Sequence, residues 1–194
     1  MAPCADAGDG GEGPAAGTIH TVGHSTHPLE RLIELLRGHD VGMLADVRTV
    51  PRSRRSPQFD ARALGPALEA GGIAYRHMPS LGGWRRPRPD SPNLGWRNAA
   101  FRGYADHMQG PEFAAGRVEL ERLAAATPTA VMCAEALWWR CHRRLVADAL
   151  AVRGWRVRHI GPDGTDAAHV LTPFARSEGD ALLYPREGEE PTLF

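Results

Sequence analysis

Residues 131 to 146 read VMCAEALWWRCHRRLV and bring Cys133, Glu135, Cys141, His142 and the cations Arg140, Arg143 and Arg144 into one short stretch. The thiolate is the form of cysteine that attacks electrophiles, and neighbouring cations or a helix amino terminus lower the thiol pKa towards neutrality. Cys133 is therefore expected to act as a nucleophile or sulfur carrier, Cys141 as a resolving or second thiol, and Glu135 or His142 as acid or base. Arg48, Arg52 and Arg143 are expected to bind an anionic substrate, because a guanidinium is a planar fork suited to carboxylates and phosphates.

The flanks of this cluster say how it is held. Thr129 to Met132 has the pattern of a buried strand, and Leu145, Val146, Ala149, Leu150 and Val152 recur at helical spacing, so the cluster sits on a strand-to-helix turn. Upstream, strands are expected at Thr18–Val22, Met43–Val47 and Ile73–Met78, with helices at about Pro28–Arg37, Asp60–Ala70 and Pro111–Ala125 and a short one at Tyr104–Met108; a last strand is expected at Trp155–Ile160. This alternation predicts a single three-layer α/β domain over residues 18–160, with a mainly parallel sheet of about five strands flanked by helices. Residues 1–17 are expected to be a disordered tail, and residues 161–194 an acidic, weakly structured one. The 22 residues of PSLGGWRRPRPDSPNLGWRNAA have no clear period, which makes them a functional lid or an insertion.

In that order every strand ends in titratable side chains: His24 and Ser25 after the first, Asp46 and Arg48 after the second, then His77, Cys133 with Glu135, and His159. The carboxyl edge of a parallel sheet is where ligands bind, so the convergence predicts a site there.

Composition narrows the chemistry. All 23 basic residues are arginine, which excludes a phosphate-binding loop lysine and Schiff-base catalysis. The formal charge of zero divides into +8 over residues 18–160 and −8 over the two tails. Three cysteines do not make a disulfide framework, and neither a leader sequence nor a bilayer-length apolar run is visible, so a cytoplasmic protein without membrane contact is expected.

Two further readings compete with the thiol enzyme. Cys133, Cys141 and His142, with His24, His77 or His159 as a fourth ligand, suit zinc or iron by ligand type but not by any standard spacing. Alternatively, the Arg-rich loops RTVPRSRR and GGWRRPRP track nucleic-acid phosphate, and the terminal EPTLF, through Leu193 and Phe194, is similar to peptides that dock on sliding clamps, with Glu190 where glutamine usually stands. The cofactor is left open.

The motifs TVGHST, LADVRTVPRSRRSPQF, IAYRHMPSLGG, FRGYADHM, MCAE followed by CHR, and VRHI together resemble the family called domain of unknown function 488, over about residues 18–160. Tyr104 of FRGYADHM joins His24, Ser25, Asp46, Arg48, Arg52 and Arg143 in the expected substrate-binding set. The resemblance implies no established activity. LADVR and a cysteine ending a later strand are also loosely similar to the rhodanese arrangement, in which backbone amides cradle an anion over a persulfidated cysteine. Here seven residues separate Cys133 from Cys141, and a C-x5-R loop would need arginine where Trp139 stands.

Overall fold

The computed structural model describes residues 17–178 and 181–186. Five strands, β1 (Thr18–Gly23), β2 (Met43–Asp46), β3 (Ala74–His77), β4 (Thr129–Cys133) and β5 (Arg156–Ile160), run parallel in the order β3-β2-β4-β1-β5. A sixth, β6 (Asp166–Ala168), adds antiparallel to β5. The expected mainly parallel three-layer α/β fold is the one observed, with helices on both faces.

Period-two alternation along the strands sorts side chains between the layers. Ala130 and Met132 join Val22 and Leu44 beneath α1 (Leu29–Arg37) and α2 (Ala61–Ala70), whose Leu32, Leu36, Leu64 and Leu68 close that layer. Val131 and Cys133 face the opposite way with Ile19, Ala45 and Val157, against α3 (Ala99–Met108), α4 (Pro111–Ala126) and α5 (Arg143–Ala151). So the parity of β4 puts the Cys133 thiol on the α5 side of the sheet. α3 starts at Ala99, earlier than the spacing suggested, because the Asn98 side chain accepts from Ala100 N–H and caps it.

Chain direction then sets where a crevice opens. From β1 the chain leaves through α1 on one face towards β2, whereas from the adjacent β4 it leaves through α5 on the other face towards β5. Neighbouring strands whose connections depart to opposite sides leave a gap above their carboxyl ends. The MCAE turn lies in that gap.

The ordered unit does not stop at residue 160. Besides β6, strands β7 (Arg176–Glu178) and β8 (Ala181–Leu183) pair antiparallel, and Leu182, Leu183 and Tyr184 are buried. The expectation of a weakly structured segment gives way here because α5 presents a buried carboxylate, Asp148, that the segment satisfies. Asp148 accepts from His169 Nε2 at 2.8 Å, Thr172 N–H at 3.0 Å, Thr172 Oγ1 at 2.7 Å and Tyr184 OH at 2.9 Å. The network continues to the sheet, His169 Nδ1 meeting His159 Nε2 at 3.0 Å and His159 Nδ1 meeting Thr21 Oγ1 at 2.7 Å. The 22-residue stretch is likewise pinned down: buried Asp106 accepts from Ser91, Asn93 and the Arg88 N–H, and Asn93 in turn accepts from Tyr184 N–H. Residues 1–16 and the terminal Leu193 and Phe194, with the clamp-like peptide, lie outside the described residues. Among the described residues no helix is long and apolar enough to cross a membrane.

Candidate active site

The sheet hydrogen bonding of β1 with β4 continues past the strand ends. His24 N–H donates to Cys133 O at 3.1 Å and Ser25 N–H to Ala134 O at 3.0 Å, so the GHST and CAE turns are fastened to one another. Ser25, at φ 48°, takes the left-handed conformation that turns the chain away. Such close passage requires Gly23: a Cβ there would lie 2.0 Å from Glu135 O.

Cys133 and Cys141 meet at this junction with their sulfurs 2.7 Å apart. Both are reduced and buried, at 3% and 8% exposure. Arg143, only 1% exposed, lies alongside them: its Nε donates to Cys133 Sγ at 3.1 Å and to Cys141 Sγ at 3.4 Å, and its Nη2 donates to the carbonyls of Glu135 and Ala136. Cys141 Sγ also accepts Arg143 N–H at 3.3 Å, at the amino terminus of α5, while Cys133 Sγ accepts Glu135 N–H at 3.4 Å.

These contacts shift the two thiols in opposite directions. Burial pushes the Cys133 thiol well up, and its contact with Cys141 adds to the rise. Burial opposes ionisation of Cys141 too, yet the hydrogen bond from Cys133, with His142 and Arg143, brings it well below the ordinary thiol range. The helix amino terminus at Cys141 agrees with that direction. Of the two, Cys141 is therefore the more readily ionised, because the hydrogen bond from Cys133 and its neighbour His142 favour charge there, although Arg143 Nε lies slightly nearer Cys133.

His142 completes a relay. Its Nε2 is 3.1 Å from Val47 O and must donate, which directs Nδ1 at Cys141 Sγ, 3.8 Å away. The ring is held between Tyr104, at 5.1 Å centroid separation, and Gly83, where a Cβ would lie 2.4 Å from His142 Nδ1. Thiol, imidazole and backbone carbonyl thus stand in sequence.

Above the thiols opens a cleft of roughly 430 Å³. Of the residues expected to make the site, His24, Arg48, Arg52, Cys133, Glu135, Cys141 and His142 line it, and Ser25, Asp46, Tyr104 and Arg143 do not. Those four support the wall from behind. Asp46 grips Arg48 through Nε at 2.8 Å and Nη2 at 2.5 Å and accepts from Tyr75 OH at 2.7 Å. Tyr104 is fully buried, its OH donating to Leu81 O at 2.9 Å, because its helix faces the core; its part in the site is to pack on His142 and not to meet a ligand. Glu135 meets Cys133 only through its backbone, and the residue is exposed where it lines the cleft. Arg52 and Arg140 line the cleft, are exposed, and have no carboxylate partner among the described residues. Gly83, Trp84, Asn98 and Phe101 also line it, supplied by the 22-residue stretch and the start of α3. Sequence periodicity had marked that stretch only by its length.

His24 stacks on Phe59, its Nδ1–H donating to Ser25 O at 2.9 Å, so Nε2 is free to accept from Arg48 Nη1 at 3.3 Å. Burial chiefly, together with the Arg48 charge, holds its pKa down to about 4. His159 does not reach the cleft; it lies under Trp138, and burial, with His169 and Arg143 nearby, lowers its pKa to about 3. His77 Nε2 bonds Arg48 O. With His77 and His159 so committed, neither joins the cysteines, and among the described residues no group of three or more His, Cys, Asp and Glu side chains is arranged to hold a metal ion.

Residues 28–150 match the family described as Domain of unknown function DUF488. The chain belongs to this family. The match runs from the start of α1 to α5 and takes in both cysteines, His142, Arg143, Asp46, Arg48 and the 22-residue stretch, while His24 precedes it and the Asp148 anchor reaches beyond it to Tyr184. No curated protein and no solved structure matches the chain.

The two neutral histidines give this DUF488 domain a defined acid response. Unfolded, His24 and His159 protonate near pH 6.5; folded, they resist until about 4 and about 3. Between those values the unfolded state binds more protons at these two sites, so their contribution to stability is level above pH 6.5 and declines as pH falls below it. Each site adds a slope of at most about 1.4 kcal/mol per pH unit, reduced by solvent screening. Urea unfolding at pH 7 and pH 5 checks this, and His159→Gln is expected to flatten the difference. An unchanged difference in that variant would remove His159 from the response.

Proposed function

We propose that the chain is a thiol-dependent enzyme acting on a small anionic substrate, with Cys141 as the attacking thiolate, Cys133 as the second thiol and His142 as the base. One observation carries this reading: two touching thiols share a buried guanidinium at the floor of a cleft walled by His24, Arg48, Arg52 and Arg140. Before attack the Cys141 proton passes to His142 Nδ1, and the resulting thiolate attacks the electrophilic atom of the substrate. Arg143 balances the charge on whichever sulfur carries it. Arg52 and Arg140 hold the substrate anion at the mouth, and Glu135 is placed to exchange a proton with groups at the rim.

Iodoacetamide labelling of the full-length Cys4→Ser chain tests the reading. Cys141 is expected to alkylate at pH 7 faster than a model thiol, with a midpoint below the ordinary thiol value of about 8.5, and Cys141→Ser is expected to remove the fast phase. Slow labelling of both cysteines would leave them as buried apolar side chains.

A second reading has its own observation: Trp84 is 80% exposed with Arg86 exposed nearby, and Arg54 and Arg55 are exposed in the loop after β2. Such a surface would track a phosphodiester backbone while Trp84 stacks on a base, giving single-stranded DNA affinity with a salt slope of about −0.7 per phosphate contacted. Weak binding even at low salt would favour the small-anion reading.

A further inference from the structure

The contact between the sulfurs restricts which electrophile a thiolate at this site can use productively. An alkyl adduct leaves the neighbouring thiol nothing to do, since a thiol does not cleave a thioether by exchange, and an acyl or phosphoryl adduct would only move from one sulfur to the other. A mixed disulfide on one cysteine is different: the second thiol attacks it directly and expels the bound group. With 2.7 Å between Cys133 and Cys141 Sγ, and Arg143 Nε donating to both, little separates formation of such an adduct from its resolution. The cleft supplies the rest of the recognition. Arg52 and Arg140 are cations without carboxylate partners among the described residues, and Trp84 and Phe101 line the same space.

We infer that Cys133 and Cys141 form a dithiol–disulfide couple that reduces a low-molecular-weight disulfide bearing carboxylates. The inference rests on the thiolate reading above and adds the substrate class and the redox outcome. Cys141 thiolate attacks one sulfur of the substrate; a Cys141–substrate bond forms, the substrate S–S bond breaks, and the first half leaves as a thiolate that takes the proton held by His142. Cys133 then loses its proton and attacks Cys141 Sγ; the Cys133–Cys141 bond forms and the second half leaves, taking that proton to become a thiol. Two electrons pass from the protein dithiol to the substrate, which ends as two thiols. A second thiol compound, present in excess, returns the protein disulfide to the dithiol by the reverse exchanges.

The probe is dithiobis-nitrobenzoate, a disulfide with a carboxylate on each ring, added to the full-length Cys4→Ser chain. The expected result is release of two equivalents of the coloured thiol per chain, a protein lighter by two hydrogens, and a peptide link between Cys133 and Cys141. In Cys133→Ser on the same background one equivalent is released and the adduct stays on Cys141. In Cys141→Ser the fast phase slows by about tenfold or more, as loss of the low-pKa thiol requires. Arg52→Ala with Arg140→Ala slows the carboxylate-bearing probe but not the neutral hydroxyethyl disulfide. A chain with both cysteines that releases one equivalent and keeps the adduct would overturn the couple while leaving a reactive thiolate in place. Absence of any fast reaction would sink both readings. Should Cys141→Ser fail to fold, the Cys133→Ser arm decides alone, since an adduct that is lost there has no resolving thiol to explain it.

Discussion

Replacing Arg143 by methionine is expected to slow alkylation of Cys141 at pH 7 by about tenfold or more, and to destabilise the fold by about 3–5 kcal/mol. Methionine keeps much of the volume but removes the cation that both sulfurs share and the donors that satisfy Glu135 O and Ala136 O. Loss of a cation beside a thiolate raises the thiol pKa, and each unit by which it climbs above neutrality leaves about a tenth of the reactive form at pH 7. Arg143→Lys separates the two effects. It keeps charge but cannot span two sulfurs and two carbonyls at once, so labelling should recover further than stability does. The rate against pH and a urea titration measure them independently. If methionine left the alkylation profile unmoved, Arg143 would be a packing residue with no hold on the thiols.

The largest purely structural loss is expected at Asp148. Its carboxylate is fully buried and accepts four hydrogen bonds from residues of the chain beyond β5, so Asp148→Ala strands four donors at once. A loss of about 3–5 kcal/mol follows from that many unmet buried partners. Amide exchange should show where it falls: protection is expected to drop over residues 169–184 before it drops in β1, β4 or the cysteine turn. Uniform loss across the sheet would mean the segment is not held through this carboxylate. Tyr184→Phe removes a single donor and is expected to cost about 1 kcal/mol.

What the sequence disclosed follows from the range of each signal. β4 and α5 were legible because their apolar residues repeat within a few positions, and the chemistry of MCAE and CHR is local to the turn between them. Asp46 and Arg48 were equally local, both ending the second strand, and their side chains pair. By contrast, His169 is read as part of a polar tail until α5 brings Asp148 to it, and nothing near His159 in the chain tells that Thr21 and Trp138 will enclose it. The stretch with Gly83, Trp84 and Asn98 was read as a lid or an insertion, but which of its residues wall the cleft was not legible, because it has no period of its own and takes its shape from Asp106 and Tyr184. Which cysteine ionises more readily depended on contacts made in three dimensions, those of Cys141 with Cys133 and His142 ahead of Arg143, not on the count of nearby arginines.

The place of β1 in the sheet bears on how the chain acquires this shape. Ile19 pairs with Thr129 on one side and Val157 on the other, so the strand at the middle of the sheet is synthesised long before either of its neighbours. At a translation rate of about 5–20 residues per second, β1 waits roughly 5–25 s for them. During that wait α1, β2, α2 and β3 can assemble a partial layer, but one whose inner edge is an unsatisfied strand. Long-range parallel pairing of this kind makes folding slow and leaves the nascent chain open to association with other chains. A helper that shields extended apolar segments during synthesis would act on this protein mainly before Thr129 emerges.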